Sequence, residues 1–578
     1  MAEPLPLIYE FDDFRVDAAA RVLERGGESV ALTPKVFDTL LYLVRNHGRA
    51  LGKDELMRAI WPDVVVEENN LNQHISILRR ALGTKGYIVT VQGRGYRFAA
   101  DVRQRPRETA TPSVKPRKAI AILPFVNMSA DPENDYFCDG LAEELLGALT
   151  KLDGLKVAAR TSSFSFKGRN VEIGRIADAL GVGTIVEGSV RRSGVQLRIA
   201  VQLIDASTGY HLWSETYDRR MKDIFALQEE ITLAVVDALK MKLLQQEKAA
   251  VLKRYTENTE AWHLYLKGRY YWYKTSPDEF RRSREYFERA IDLDPVYVLA
   301  YSGLADYYGL CSATGILEPD EGWPRALAAL VKALEIDDTL AETCNPLAAL
   351  KWIYERDWVG AEKTFKRGIE LNPQFAEIHH LYSYYLAAAG RLDGALAESR
   401  LAMELDPLCV RFNLTVGWMF YIARRYDEAV SQYRKTLDLD AHTVAVHDCL
   451  GDTLERQGLY EAAVAEWRTA MILAGDDELA ETLSRHYIQQ GFAEAVREVA
   501  RTKLARLSER YARGEYVAAW HFARAYVRLD SEQAFIWLEK ACNERNKFPL
   551  DVNVDPFYDS LRGDPRYPDL VRRIGLAP

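Results

Sequence analysis

Apolar and polar positions alternate along this chain with more than one period, and each change of period marks a change of element. In the first hundred residues, short half-apolar runs at 8–11, 14–17, 21–23 and 29–32 predict strands. Thr33-Pro34 then offers an N-cap followed by proline at the first helical position, where its missing N–H costs nothing. Behind it Val36, Phe37, Leu40, Leu41, Leu43 and Val44 recur at helical spacing, and His47-Gly48 ends the helix. Residues 53–60 make a second short helix closed by Trp61-Pro62, and residues 69–82 a third with Gly83 behind it. Residues 88–91 and 96–98 predict a hairpin around Gln92-Gly93-Arg94-Gly95.

At 100° per residue, Leu71, Ile75, Leu78 and Leu82 share one face of the third helix and must pack on the first two. The opposite face collects Asn69, Gln73, Ser76, Ile77 and Arg80, with Asn72 and Arg79 on its flank. It carries amide, hydroxyl and guanidinium groups and no acid, which are the donors and acceptors that base edges and phosphates require.

Residues 118–245 read as a small α/β unit. A buried strand at 118–125 precedes a helix N-capped by Asp139 and running to Leu149, then a strand at 155–159 and a helix at 174–180. Strands at 184–190 and 195–203 flank an Arg-Ser-Gly turn, another follows at 211–216, and a long helix from Ile224 to about Gln246 closes the unit. Beyond it, equivalent turn positions at Asp338, Pro373, Pro407 and Ala441 are 35, 34 and 34 residues apart. That period is a helix-pair repeat. An earlier copy at Pro295 precedes Asp338 by 43 residues, and the excess reads as a loop insertion around 314–319. Residues 246–578 are therefore expected to form an all-helical array.

The formal charge of −9 gives the whole chain no attraction for nucleic acid. Residues 69–107 nevertheless hold eight Lys and Arg, including Arg79, Arg80, Arg94 and Arg97, against Asp101 alone. A basic patch of this density inside an acidic protein favours DNA over an ordinary solvated face. Residues 101–117, with prolines at 106, 112 and 116 and little to bury, read as a flexible basic linker between a domain at 1–100 and the unit at 118–245. A hydrophobic content of 48% excludes wholesale disorder. The six cysteines form no C-x-x-C, and there is no signal-peptide pattern or 18-residue apolar run. These features place the expected protein in the cytoplasm, without a membrane contact. Phosphate-loop, G-x-S-x-G and H-E-x-x-H motifs are absent, and Gly181-Val-Gly183 lacks a third glycine where Val186 stands. The acids Asp135, Asp139, Glu143 and Glu144 fit a helix N-terminus better than a metal site. The expectation is no enzyme, no cofactor and no metal.

Three resemblances sharpen these readings. The order strands, three helices, hairpin is a winged helix-turn-helix, and LTPKVFDTLLYLVRNHG (32–48), Ile60-Trp61, NNLNQHISILRRALG (69–83) and TVQGRGYRF (90–98) closely resemble the OmpR/PhoB-type effector domain. The resemblance implies a recognition helix in the major groove, with Arg79 and Arg80 at basic positions, and a wing whose Arg97 reaches the minor groove. Ile77 stands where the family often has a basic residue, and Gln92 where it commonly has Arg. No receiver domain precedes the winged helix, so control by aspartyl phosphorylation is not expected. AILPF, DYFCDGLAEELL, SSFSFKG, YHLWSETYDR and DIFALQEEI resemble the TolB N-terminal-like module found before repeat arrays, some of them in cyclase-bearing regulators. Trp262, Tyr265, Gly268, Ala290 and the Asn/Asp-Pro turns resemble tetratricopeptide repeats, TPRs, whose groove takes a protein or peptide. Together they imply a one-component, sequence-specific transcription regulator that self-associates on double-stranded promoter DNA, with RNA polymerase a candidate partner and the α/β and repeat regions binding a regulatory partner or ligand. The alternatives are a TPR signalling scaffold and a non-catalytic relative of cyclase-linked TPR proteins.

Overall fold

The computed structural model describes residues 7–106 and 119–575, apart from 18–21, 26–27, 31, 33, 61–67, 84–85, 92, 153, 242 and 275–276. The chain forms two compact units, Met1–Val114 and Lys115–Pro578.

The first unit runs β1 (Leu7–Phe11), β2 (Phe14–Asp17), β3 (Val22–Arg25), β4 (Glu28–Val30), α1 (Pro34–Arg45), β5 (Ala50–Leu51), α2 (Lys53–Ile60), α3 (Glu68–Leu82), β6 (Ile88–Val91), β7 (Gly95–Phe98) and β8 (Arg103–Pro106). It is the winged helix-turn-helix expected from the sequence, with its helices at the expected places; the N-cap assigned to Thr33 lies outside the described residues. Strands β4, β3, β2, β1 and β8 form one antiparallel sheet, and β5, β7 and β6 a second. Pairing of β8 with β1 corrects the start of the linker: Arg103–Pro106 complete the first sheet, and only residues 107–118 lie outside the description. The alternation of β1 and β2 turns Tyr9, Phe11, Phe14 and Val16 inward into the core of the unit. There Phe11 meets Phe14 at 5.3 Å and the edge of Phe98 at 4.9 Å, so the strands of one sheet are locked to the hairpin of the other.

In the second unit, β9 (Ala119–Ile122) is fully buried and lies parallel to β11 (Lys156–Val157) and β12 (Thr184–Ser193); β10 (Val126–Asn127) also pairs with β12. β13 (Gln196–Asp205) and β14 (His211–Arg220) extend the sheet antiparallel. Helices α4 (Asp135–Leu149), α5 (Arg160–Phe164), α6 (Ile173–Leu180) and α7 (Ile224–Ala238) complete the module. Two expectations are corrected. Asp139 does not cap a helix: it lies within α4, buried, where Lys167 donates to both carboxylate oxygens at 2.7 and 2.8 Å. The closing helix does not reach Gln246: it stops at Ala238, Lys240 turns into the left-handed region at φ 53°, and α8 (Gln245–Val251) starts afresh.

Helix pairs follow without a break in packing. Trp262 and Leu266 of the first repeat helix, Thr259–Trp272, belong to the α/β core, and Gly140 on α4 lets Leu266 approach where a Cβ would stand 2.5 Å away. The array is a TPR-like helical solenoid. The nine-residue excess after Pro295 is no loop: Val298–Thr314 and Pro319–Ile336 are each about one turn longer than Val410–Ile422 and Tyr426–Leu439. The 34-residue period also repeats a polar network. His379 Nε2 lies 3.1 Å from the turn carbonyl of Pro373 and its Nδ1 2.6 Å from Glu398; His447 stands the same way to Ala441 and Glu466. Between them Asn413 donates to the Pro407 carbonyl, and Gln432 to Asn413. Each copy thus satisfies a carbonyl that its turn leaves exposed.

The turns also hold the module. Ser162 at the start of α5 gives both its amide (2.8 Å) and its hydroxyl to Asp406, and its Oγ accepts from the Leu408 amide at 2.8 Å. One repeat earlier, Gln374 donates to the Leu155 carbonyl at 3.0 Å beside β11. Asp406 is buried, which pushes its carboxyl up while the Ser162 hydroxyl opposes. Replacing Asp406 by Ala leaves the Ser162 amide buried without an acceptor, a loss of about 1–3 kcal/mol. Urea unfolding of the full chain should show that loss in the transition of the second unit, and an unchanged midpoint would contradict the docking role.

Candidate nucleic-acid interface

The inner face of α3 follows the hydrophobic pattern. Leu71, Ile75, Leu78 and Leu82 are buried against α1 and α2. Between them, buried Thr39 on α1 bonds its own helix at the Lys35 carbonyl and meets His74 Nδ1 at 2.9 Å. Burial, reinforced by the Lys35 charge, holds the His74 imidazole below its ordinary range. Lys35 donates to the Ile60 carbonyl at 2.8 Å and so ties α1 to the end of α2. The apolar spacing of the sequence does not encode these polar ties. A threonine on the buried stripe of α1, in register with Val36, Leu40 and Leu43, is the one trace of them in the sequence.

The outer face divides into two groups. Gln73, Ser76, Ile77 and Arg80 are exposed, Ile77 at 44%. Asn72, half-buried, and Arg79, also exposed, are bonded to the hairpin. Arg79 donates through Nε and Nη2 to the Ile88 carbonyl at 3.0 and 2.9 Å, and through Nη2 to Thr90 Oγ1 at 2.8 Å. Its guanidinium lies 5.9 Å from the Tyr96 ring centre, and the Tyr96 hydroxyl donates to Asn72 Oδ1 at 2.8 Å. Two residues grouped with the outward face by angle therefore form a clamp between α3 and the wing. Asn69 lies in the first turn of α3, its side chain outside the described residues, as are Trp61 and Gln92.

The wing is a tight hairpin. β6 pairs antiparallel with β7, Val89 opposite Arg97 and Val91 opposite Gly95, and the Arg94 amide donates to the Val91 carbonyl at 3.0 Å. Gly95 is required twice over: its φ is +121°, and a Cβ there would stand 2.0 Å from the Leu51 carbonyl oxygen on β5. Arg94 in the turn and Arg97 on β7 are exposed. Among the described residues, Arg80, Arg94 and Arg97 have neither an ion-pair nor a hydrogen-bond partner, unlike Arg79 and unlike Arg49, which pairs with Glu55. Three unneutralised guanidinium groups on α3 and the wing leave a local positive field that an anion can screen.

Comparison with known proteins agrees with this geometry. Residues 27–98 match the family described as "Transcriptional regulatory protein, C terminal". The first unit carries an OmpR/PhoB-type transcriptional-regulator domain. Over 100 residues the chain is 38% identical to the KDP operon transcriptional regulatory protein KdpE of Escherichia coli (strain K12), covering 16% of this chain and 44% of KdpE. It is 24% identical over 418 residues to the transcriptional regulator HilA of Salmonella typhi, covering 69% of this chain and 70% of HilA. It is 35% identical over 252 residues to "Putative adenylate cyclase 3" of Rhizobium meliloti (strain 1021), covering 43% of this chain and 42% of that protein. The chain thus spans less than half the length of the first and third of these relatives. At 252 residues, the match to the cyclase-named protein is too long to lie within Met1–Val114 alone. No helix among the described residues is long and apolar enough to cross a membrane.

Two substitutions separate the clamp from the open face. Arg79→Ala removes three bonds between α3 and the wing and should lower the stability of the first unit by about 1–3 kcal/mol, since a charged donor holds the part-buried Ile88 carbonyl. Arg80→Ala, at an exposed unpaired site, should change it by less than about 0.5 kcal/mol. Thermal unfolding followed by circular dichroism compares them, and equal effects would dismiss the clamp. Gly95→Ala should unfold the wing, seen as loss of amide protection at Val89 and Val91.

Proposed function

We propose that this protein is a sequence-specific DNA-binding transcription regulator whose α/β module and repeats receive a partner or ligand. The observation that carries the reading is three exposed arginines without a partner among the described residues, Arg80 on α3 with Gln73 and Ser76, and Arg94 and Arg97 on the wing, while the apolar face of α3 is committed to the core. In this reading α3 enters the major groove. Gln73, Ser76 and Arg80 offer donors and acceptors to base edges, Ile77 offers a methyl surface to thymine, and Asn69 stands at the helix start near the phosphates. Arg94 and Arg97 carry the wing to the adjacent minor groove or its phosphates. Arg79 and Asn72 act from behind, setting the angle between helix and wing.

One α3 spans only a short half-site, so paired protomers on DNA are part of the proposal, as is contact with RNA polymerase. Action on promoter DNA places the protein in the cytoplasm. The similarity to a cyclase-named protein beyond the first unit supports reading the α/β and repeat region as a non-catalytic interaction region shared between regulators and cyclase-named proteins.

The test is binding of the full chain to genomic fragments at physiological salt. A reproducible preferred motif is expected. Arg80→Ala should weaken it by about 1–3 kcal/mol and relax one position of the motif, whereas Arg94→Ala should weaken all sequences alike and flatten the salt dependence. Binding without sequence preference would overturn the proposal.

A further inference from the structure

The second unit contains a cavity of about 690 Å³ in its last repeats, within the size range of small-molecule sites. It lies among the helices Val444–Arg456, Tyr460–Leu473, Phe492–Ala512 and Ala519–Val527. Trp467, Met471, Leu483 and Val496 give it an apolar wall. The helix Phe492–Ala512 has 21 residues against 14 for its hairpin partner Asp477–Gln490, and its extra turns bring Arg506 and Arg510 to the cavity beside Lys503.

The charges on the lining are unequal in number and in commitment. Lys503, Arg506, Arg510, Arg524 and Arg528 face two acids, Asp448 and Asp452. Three of the cations are already engaged: Arg506 with Asp476 at 2.5 Å, Arg510 with Glu515 at 2.9 Å and Arg528 with Glu455 at 2.6 Å. The other two are less committed. Lys503 has no bonded partner among the described residues, and Arg524, which lies 4.2 Å over the Phe557 ring and interacts with Tyr558, is only loosely paired with acids, 3.6 Å from Asp452 and 3.7 Å from Asp555. Asp452 accepts instead from Trp467 Nε1 at 3.1 Å. His521, stacked on Trp520 in the same wall, reports the sign of the field: burial first, then Arg510, Arg524 and Lys503, hold its imidazole down to about 4. Burial likewise pushes the Asp452 carboxyl up to about 6.

We propose that this cavity binds a small organic acid, one anionic group on an apolar frame, with the anion held by Lys503 and Arg524 and the frame lying on Trp467, Met471 and Leu483. The proposal deepens the ligand-receiving half of the proposed function and rests on it for its meaning. Its test needs no DNA, so its failure is distinguishable from failure of the DNA-binding reading.

The probe is anilinonaphthalene sulfonate, an aromatic anion, titrated by fluorescence into the full chain beside its neutral counterpart N-phenylnaphthylamine. Saturable binding at one site is expected, with the neutral compound at least about tenfold weaker because it forfeits the charge-assisted bonds. Lys503→Ala, at an exposed unpaired position that leaves the fold intact, should weaken the anion about tenfold and leave the neutral compound unchanged. Ala500→Trp, which fills the cavity from the same helix, should abolish both. Equal binding of the two compounds, an unchanged anion affinity in Lys503→Ala, or no saturable binding would each overturn the proposal.

Discussion

The surface that the first unit can offer to DNA depends on how α3 is held against the wing. Four apolar side chains fix which face of the helix is inward, but burial of Leu71, Ile75, Leu78 and Leu82 leaves the helix free to slide or tilt relative to the hairpin. The bonds of Arg79 to Ile88 and Thr90, and of Tyr96 to Asn72, remove that freedom because they are directional. Once they are made, Arg80 on the helix and Arg94 and Arg97 on the wing project from one rigid body. The Gly95 backbone, closed against Leu51, gives the wing its place on β5.

The same division between non-directional burial and directional bonds runs through the second unit. Helix pairs stack by packing of large on small, as where Phe287 fills the space over Gly268 and Gly303. The attachment of the α/β module to the repeats is polar and local, and it uses turns. Gln374 and Asp406 occupy neighbouring inter-repeat turns, and both reach the segment 155–162. A turn carries backbone groups that no helix satisfies, so it is a natural place for a second element to bond.

Much of this was legible in the residues. The helices of the first unit and the 34-residue period rest on hydrophobic spacing and on punctuation by proline and glycine, which are local. Where the reading failed, the competing cause was not local. Asp139 looks like a cap because an acid before an apolar run often is one; instead Asp131 caps the 3-10 turn Pro132–Asn134 that leads into α4, and Asp139 is buried inside the helix with Lys167 bonded to it from 28 residues away. Arg103–Pro106 look like linker because they have little to bury, yet a strand at a sheet edge needs only a partner with free backbone groups, which β1 supplies. The nine extra residues after Pro295 read as a loop because loops absorb insertions most often, whereas a whole turn added to each of two paired helices keeps both in register.

By itself the sequence determined which faces are buried, where the helices start and stop, how often the repeat recurs, and that a basic segment sits within an acidic chain. These follow from periodicity and composition, which hydrophobic burial and backbone sterics translate directly into local structure. Only the tertiary structure decided which of the polar residues on α3 remain open. Helical angle places Arg79 and Arg80 side by side and cannot tell them apart. The difference is the Ile88 carbonyl and the Thr90 hydroxyl, on a strand whose distance from α3 no periodicity encodes. The cavity near Lys503 belongs to the same class, because an empty space is a property of how helices fail to fill a volume and no residue writes it into the chain.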